Sequence, residues 1–301
     1  MSKKRLLFRA DSSAAIGHGH IMRDLVLAKR FSEYEIAFAT RKLKGDINHK
    51  IPYKIYDLKS DKIQELIELI NTLHVGLLII DHYDIGIEDE MLIKKMTEAK
   101  IMVLDDTYKP HICDILLNHN ICAKPSRYAT LVPKECELWC GSEFTLYREE
   151  FYKEAQITRS RRGVLIALGG TDPLNLSAKI AKDIDSSIPL IVISTSSNQN
   201  LKALQDYAND RGNCKVVVDT KEMAKLLNSC EVAIVSASTI SQEALMLHVN
   251  IIAVKTADNQ EEMARYLRAE KYDVLEHNEV KEIAKLPMIK RVSVKYTKRM
   301  D

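Results

Sequence analysis

Short aliphatic runs alternate along this chain with stretches in which apolar positions recur every three or four residues. The runs at 4–8, 77–80, 101–104 and 115–117 are rich in Ile, Val and Leu, as strands are when both faces of a parallel sheet are covered. Residues 60–73 read SDKIQELIELINTL, which sets Ile63, Leu66, Ile67 and Ile70 on one helical face and places Ser60 as the cap. A shorter helix is predicted over 87–95. Beyond a charged segment at 148–162 the pattern restarts, with strands predicted at 164–168, 190–194, 215–218, 232–235 and 251–254. Helices are predicted from about 176 and at 201–208, 222–228, 241–247 and 261–267. Such alternation builds βαβ units, so the expected class is α/β: two Rossmann-like βα domains, 1–150 and 151–301, with parallel sheets facing a central cleft. Residues 149–162 are expected to form a solvated connection, and the tail after Asp273 yields no defined element.

Composition narrows the function classes. The chain has 301 residues and a formal net charge of +2, which offers no basic surface for nucleic acid and none for an acidic membrane. The start, MSKKRLLFRADSS, holds three consecutive apolar residues, too few for a signal peptide, so a cytoplasmic location is expected. Six cysteines lie scattered without a C-x-x-C pair or a zinc-like histidine spacing, and the nine histidines form no H-E-x-x-H cluster. Reduced thiols and chemistry without a metal are therefore expected.

Candidate chemistry concentrates at strand ends. In RADSSAAIGHGHIMRDLVLA, residues 9–28, Gly17 and Gly19 let the backbone turn and approach a ligand, and His20 stands at the mouth of a helix. A histidine can take a proton from water or a sugar hydroxyl near neutral pH. Met22 occupies the last glycine position of the dinucleotide fingerprint, which argues against a nicotinamide or flavin site. In the second half, Gly169, Gly170, Thr171 and Asp172 follow a strand and can turn N–H groups toward a phosphate or sugar. The stretch SASTISQE does the same with Ser238 and Thr239. Asn259 and Gln260 carry amides suited to sugar hydroxyls and acetamido groups. Asp105 and Asp106, adjacent at a strand end, point in opposite directions and read as orienting or capping groups.

Arg9, Asp11, Ile16, Gly17, Gly19, His20, Arg23, Leu25 and Ala28 together resemble the UDP-sugar hydrolases of the pseudaminic acid pathway. These cleave UDP-2,4-diacetamido-2,4,6-trideoxy-β-L-altropyranose to UDP and the free sugar. The likeness continues through Asp81-His82-Tyr83, Asp105-Asp106, the run CDILLNHN at 113–120, Cys140-Gly141 and Arg148-Glu149-Glu150-Phe151. It implies the GT-B layout shared with the glycosyltransferase that makes lipid II, a UDP-sugar substrate and no cofactor. By that resemblance Glu243 accepts both ribose hydroxyls, main chain near Thr220 meets the uracil, and Tyr83 faces the sugar. His20 is then the base that activates water, Tyr83 and Asn259 hold sugar and water in line, and Asp11 supports the turn or the imidazole. A monomer is expected. A glycosyltransferase that activates an acceptor hydroxyl, a nonhydrolysing UDP-sugar epimerase and a catalytically silent UDP-sugar-binding protein stay open at this level.

Overall fold

Aliphatic runs become strands here because helices cover both faces of each sheet, and each periodic stretch lays its apolar stripe on that sheet. The computed structural model describes residues 4–13 and 15–297, and the chain divides into two compact units, Met1–Arg148 and Glu149–Asp301. In the first, β1 (Arg5–Ala10), α1 (Gly19–Ala28), β2 (Glu35–Arg41), β3 (Lys54–Leu58), α2 (Ile63–Leu73) and β4 (Val75–Asp81) are followed by α3 (Ile87–Met96), β5 (Lys100–Leu104), β6 (Ile115–Asn118) and β7 (Glu137–Cys140). The seven strands lie in the order β3-β2-β1-β4-β5-β6-β7, all parallel. Chain order reverses between β1 and β4, which opens a crevice at their carboxyl ends, where Ala10 and Asp81 are register partners.

Period-two alternation splits the core. Leu6 and Phe8 pack with Ile79, Met102 and the Ile21 and Leu27 stripe of α1, while Leu7 packs with Leu78, Ile101, Val103 and the Leu66 and Ile70 stripe of α2. Each such side chain, fully withdrawn from water, contributes about 1.5–3 kcal/mol. Helix α2 starts at Ile63, not at a cap on Ser60: the Ser60 hydroxyl donates to Glu65 Oε2 at 2.8 Å, and the Glu65 carboxylate accepts the N–H groups of Lys59 and Ser60.

The second unit opens with α4 (Glu149–Glu154), then β8 (Val164–Ala167), α5 (Leu176–Asp183), β9 (Leu190–Ser194), α6 (Leu201–Arg211), β10 (Cys214–Val218) and α7 (Met223–Asn228). It continues with β11 (Val232–Ser236), α8 (Thr239–Met246), β12 (Asn250–Lys255), α9 (Glu261–Ala269), β13 (Asp273–Glu276) and α10 (Pro287–Thr297). Its six strands run parallel in the order β10-β9-β8-β11-β12-β13, with the same reversal between β8 and β11.

One expectation is corrected in this unit. Residues 149–162 are not a solvated connection, because α4 buries Phe151 completely and Glu154 pairs with Arg159 and accepts Asn228 Nδ2 at 3.0 Å. The stretch after Asp273, left undefined by the sequence, joins the core: β13 extends the sheet, and Ile289, Val292 and Tyr296 of α10 pack with Val164 and Val232. The Tyr296 hydroxyl accepts the Gly163 N–H at 2.9 Å and donates to Glu231 Oε1 at 2.9 Å. All six cysteines are unbridged. Among the described residues, no helix is long and apolar enough to cross a membrane.

Candidate active site

The crevice of the first unit collects side chains from four strand ends. The turn after β1 is closed by Gly17 N–H donating to Ser13 O at 2.9 Å, with Gly17 at φ +87°, a conformation that glycine adopts without strain. Gly19 has no neighbour within 4 Å of where a Cβ would sit, so the mouth of α1 is open. His20, buried in that first turn, sets Nδ1 at 2.6 Å from Asp81 Oδ1 at the end of β4. Arg23, one turn on, donates Nε to Asp81 Oδ2 at 2.6 Å and Nη2 to Oδ1, then reaches Asp106 Oδ2 with Nη1 at 3.1 Å. The Tyr83 ring meets the His20 ring edge-on with centroids 4.8 Å apart, and its hydroxyl donates to Asp106 Oδ1 at 2.9 Å.

These contacts decide the protonation pattern. Burial acts to raise the Asp81 carboxyl, but the charge and hydrogen bonds of Arg23, with the hydrogen bond from His20, outweigh it and hold Asp81 well below the usual carboxylate range. Asp81 is then an acceptor only, so the hydrogen of this contact sits on His20 Nδ1, and in the neutral ring Nε2 is the acceptor nitrogen. Burial and the charge of Arg23 push His119 down to about 4, leaving a neutral ring whose Nε2 accepts from Arg23 Nη1 at 3.2 Å. Burial and the Asp106 charge raise the Tyr83 phenol to about 12, so Tyr83 offers a hydrogen bond and not a proton.

His20 and Tyr83 are thus brought together, with Gly17 and Gly19 at the turn beside them. Asp11 is not: it does not meet the His20 imidazole. Its buried carboxylate accepts Arg9 Nη1 at 2.8 Å, Arg41 Nε at 2.7 Å and His82 Nε2 at 3.1 Å, which ties β1, β2 and β4 together beneath the turn. Asp105 and Asp106 do diverge. Asp105 accepts Thr107 N–H at 2.9 Å and the Tyr128 hydroxyl at 2.8 Å, and only Asp106 joins the His20 cluster. The partner that orients His20 is Asp81, a role sequence reasoning missed although it placed the residue in a motif at a strand end. Arg23 was missed as its clamp; a polar residue one turn after a base, on the same helix face, was the available signal.

In the second unit, a pocket of about 340 Å³ lies at the ends of β8, β11 and β12, lined by Gly169, Thr171, Asp172, Ser236, Ser238 and Gln260. Gly170 is a packing residue, since a Cβ there would run into the Thr195 side chain. Asp172 accepts the N–H groups of Leu176 and Ser177 at 2.8 and 2.9 Å, so the first turn of α5 is already occupied by a carboxylate. In α8 the Ser238 side chain makes no cap hydrogen bond and instead shares a 2.8 Å contact with Ser236 Oγ, so the first N–H groups of this helix, beside the pocket, have no cap from the Ser238 side chain. Glu243, one turn into α8, is buried. Thr220 Oγ1 accepts Glu222 N–H at 3.0 Å in the turn after β10. Asn259 lies in the 3-10 turn Asp258–Gln260 between β12 and α9, where Gln260 Oε1 accepts Thr256 N–H at 2.8 Å. Among the described residues, no group of three or more His, Cys, Asp or Glu side chains could hold a metal ion.

Similarities to known proteins fit this geometry. No family model matches the chain. Of solved structures, MurG of Acinetobacter baumannii aligns with a TM-score of 0.61 at 13% identity, over 99% of this chain and 91% of that one. A UDP-glucosyltransferase from Polygonum tinctorium aligns with a TM-score of 0.66 at 14% identity, over 99% and 93%. These likenesses are of fold, and the two parallel α/β units are of the GT-B class. The UDP-2,4-diacetamido-2,4,6-trideoxy-β-L-altropyranose hydrolase of Campylobacter jejuni is 46% identical over 271 residues, which span 90% of this chain and 98% of the relative. At that identity over nearly the full length of both chains, this protein belongs to the family of UDP-2,4-diacetamido-2,4,6-trideoxy-β-L-altropyranose hydrolases.

Proposed function

We propose that this protein hydrolyses a UDP-linked diacetamido-trideoxy sugar of the pseudaminic acid pathway to UDP and the free sugar, by inverting attack of water at the anomeric carbon. The observation that carries the reading is the buried His20–Asp81 pair, which leaves Nε2 as a base. Nε2 takes a proton from water as the water attacks, and the Asp81 carboxylate stabilises the imidazolium that forms. Tyr83 and Asn259 hold sugar and water in line, a contribution of orientation. In the second unit the open end of α8 at Ser238 and Thr239 meets the diphosphate charge that builds on the leaving group, Glu243 accepts from the ribose hydroxyls and main chain near Thr220 meets the base. The helix terminus answers that charge without a metal ion. The chain has no P-loop lysine to grip a phosphoryl group, which favours attack at carbon over attack at phosphorus.

The test is hydrolysis of the UDP-sugar in ¹⁸O-water without any acceptor and with excess EDTA. The label is expected in the sugar, with the opposite anomer seen first by NMR. Label in UDP, early retention of configuration, or turnover that needs an added acceptor overturns the proposal. Loss of activity in EDTA that Mg²⁺ restores overturns its metal-free part.

A further inference from the structure

Asp24 lies on α1 one turn beyond His20, on the same helix face, and is fully buried. Neither of its carboxyl oxygens meets a hydrogen-bond donor. A carboxylate there would have lost its water and gained nothing in return, so the group is stable only as a neutral acid with one hydrogen to place. The Asp81 carboxylate is its charged neighbour, and that charge adds to burial in favouring the protonated form of Asp24. Asp81 already accepts His20 Nδ1, Arg23 Nε and Arg23 Nη2, three bonds against the roughly four lone-pair sites of a carboxylate. One site is left for an O–H.

We propose that Asp24 is a neutral carboxylic acid that donates its hydrogen to Asp81, and is thereby the positioning residue that fixes Asp81 and tempers the basicity of His20. The inference rests on His20 acting as the base. Burial and the neighbouring Asp81 charge both push the Asp24 carboxyl far above its ordinary range, against the opposing pull of Arg23. The charge balance then explains why neutrality matters. Around His20 stand Arg23 from α1, Asp81 from β4, Tyr83 just beyond it, Asp106 after β5 and the neutral His119 after β6. With Asp24 neutral, Arg23 faces the carboxylates of Asp81 and Asp106, and proton uptake by His20 brings these four groups to balance; Lys109 stands farther out, its Nζ 5.8 Å from the centre of the Tyr83 ring. An ionised Asp24 would add a third negative charge, which favours imidazolium over the free base that must take a proton from water.

Two measurements test this. Infrared difference spectra of the unliganded wild-type protein against Asp24→Asn, at pH 7, should show the carbonyl stretch of a neutral carboxylic acid that is lost in the variant. This readout needs no turnover, so it stands even if the hydrolysis reading fails. In the second measurement, the acid limb of the kcat/KM profile should move up by about 0.5–1 pH unit in Asp24→Leu, which takes the donor from Asp81 and leaves its full charge on His20. Asp24→Asn, whose amide can donate in place of the acid, should restore the limb to within about 0.2 unit of wild type. Absence of the carbonyl band overturns the proposal, as does an Asp24→Leu limb that coincides with wild type, or an Asp24→Asn limb displaced as far as that of Asp24→Leu. Should Asp24→Leu fail to fold, the band and the Asp24→Asn profile decide.

Discussion

Both units place their candidate site at the point where a parallel sheet reverses its chain order, yet they furnish it in opposite ways. In the first, the crevice end is crowded with ionisable groups that bind one another: Arg23 spans Asp81 and Asp106, and Arg9 and Arg41 share Asp11. In the second, the pocket is lined by small hydroxyls, Gly169 and residues at the start of α8, with Asp172 turned to its own helix. A site that must move a proton needs side chains whose charges are fixed in advance, and saturated ion pairs fix them. A site that must grip a diphosphate needs unspent N–H groups and room. The contrast suits the proposed function, with chemistry in the first unit and binding in the second.

The sharpest way to break that division is at His20. His20→Asn is expected to lower kcat by 10³-fold or more while UDP affinity by calorimetry stays within about twofold, and Asp81→Asn, which releases the wrong tautomer, should lower kcat to a similar order. Equal loss of UDP binding in His20→Asn would erase the contrast. Glu243→Ala should do the reverse, weakening UDP about 10- to 100-fold, since hydrogen bonds to a charged group contribute about 1.5–3 kcal/mol. A smaller effect separates structural charge from catalytic charge. Burial lowers His111, but the carboxylates of Asp105 and Glu90 outweigh it and raise the imidazole to about 9, with Nδ1 at 2.6 Å from Glu90 Oε1. A raised folded-state value means that the stabilisation is complete below the ordinary histidine range near 6.5 and is lost as pH climbs through 9. The unfolding free energy from urea titrations should therefore fall by about 1–3 kcal/mol between pH 7 and 10 in wild type and stay flatter in His111→Gln. The smallest change concerns α5: Asp172→Asn keeps one acceptor of two and should cost about 0.5–1 kcal/mol in thermal unfolding. A larger loss of UDP affinity than of stability in that variant would move the anion site from α8 to α5.

The base and its turn were legible because everything that marks them is local: strand, glycines and histidine lie within a dozen residues. Asp81 was hidden by topology. Its register partner is Ala10, 71 positions earlier, and only the pairing of β1 with β4 sets it beside the mouth of α1. The edge strands β3, β7 and β13, and β2 next to the edge, escaped prediction; polar and charged residues interrupt such strands, as in KIYDL and DVLE, so they lack the aliphatic continuity of the central strands. In α4 the charges of Glu149, Glu150 and Lys153 concealed Phe151, which is fully buried. The final helix begins at Pro287, a residue suited to a first turn, in a tail for which the sequence reading offered no element.

The tie between Tyr296 and Gly163 also sets a timetable for synthesis. The residue just ahead of β8, the first strand of its sheet, is held by a side chain made 133 residues later. The first unit draws its core from residues 6–146 and can close while the rest of the chain is still being translated. The second must wait with β8 and its central strands exposed until Ile289, Val292 and Tyr296 have left the ribosome, and that interval is when the nascent chain most needs a chaperone.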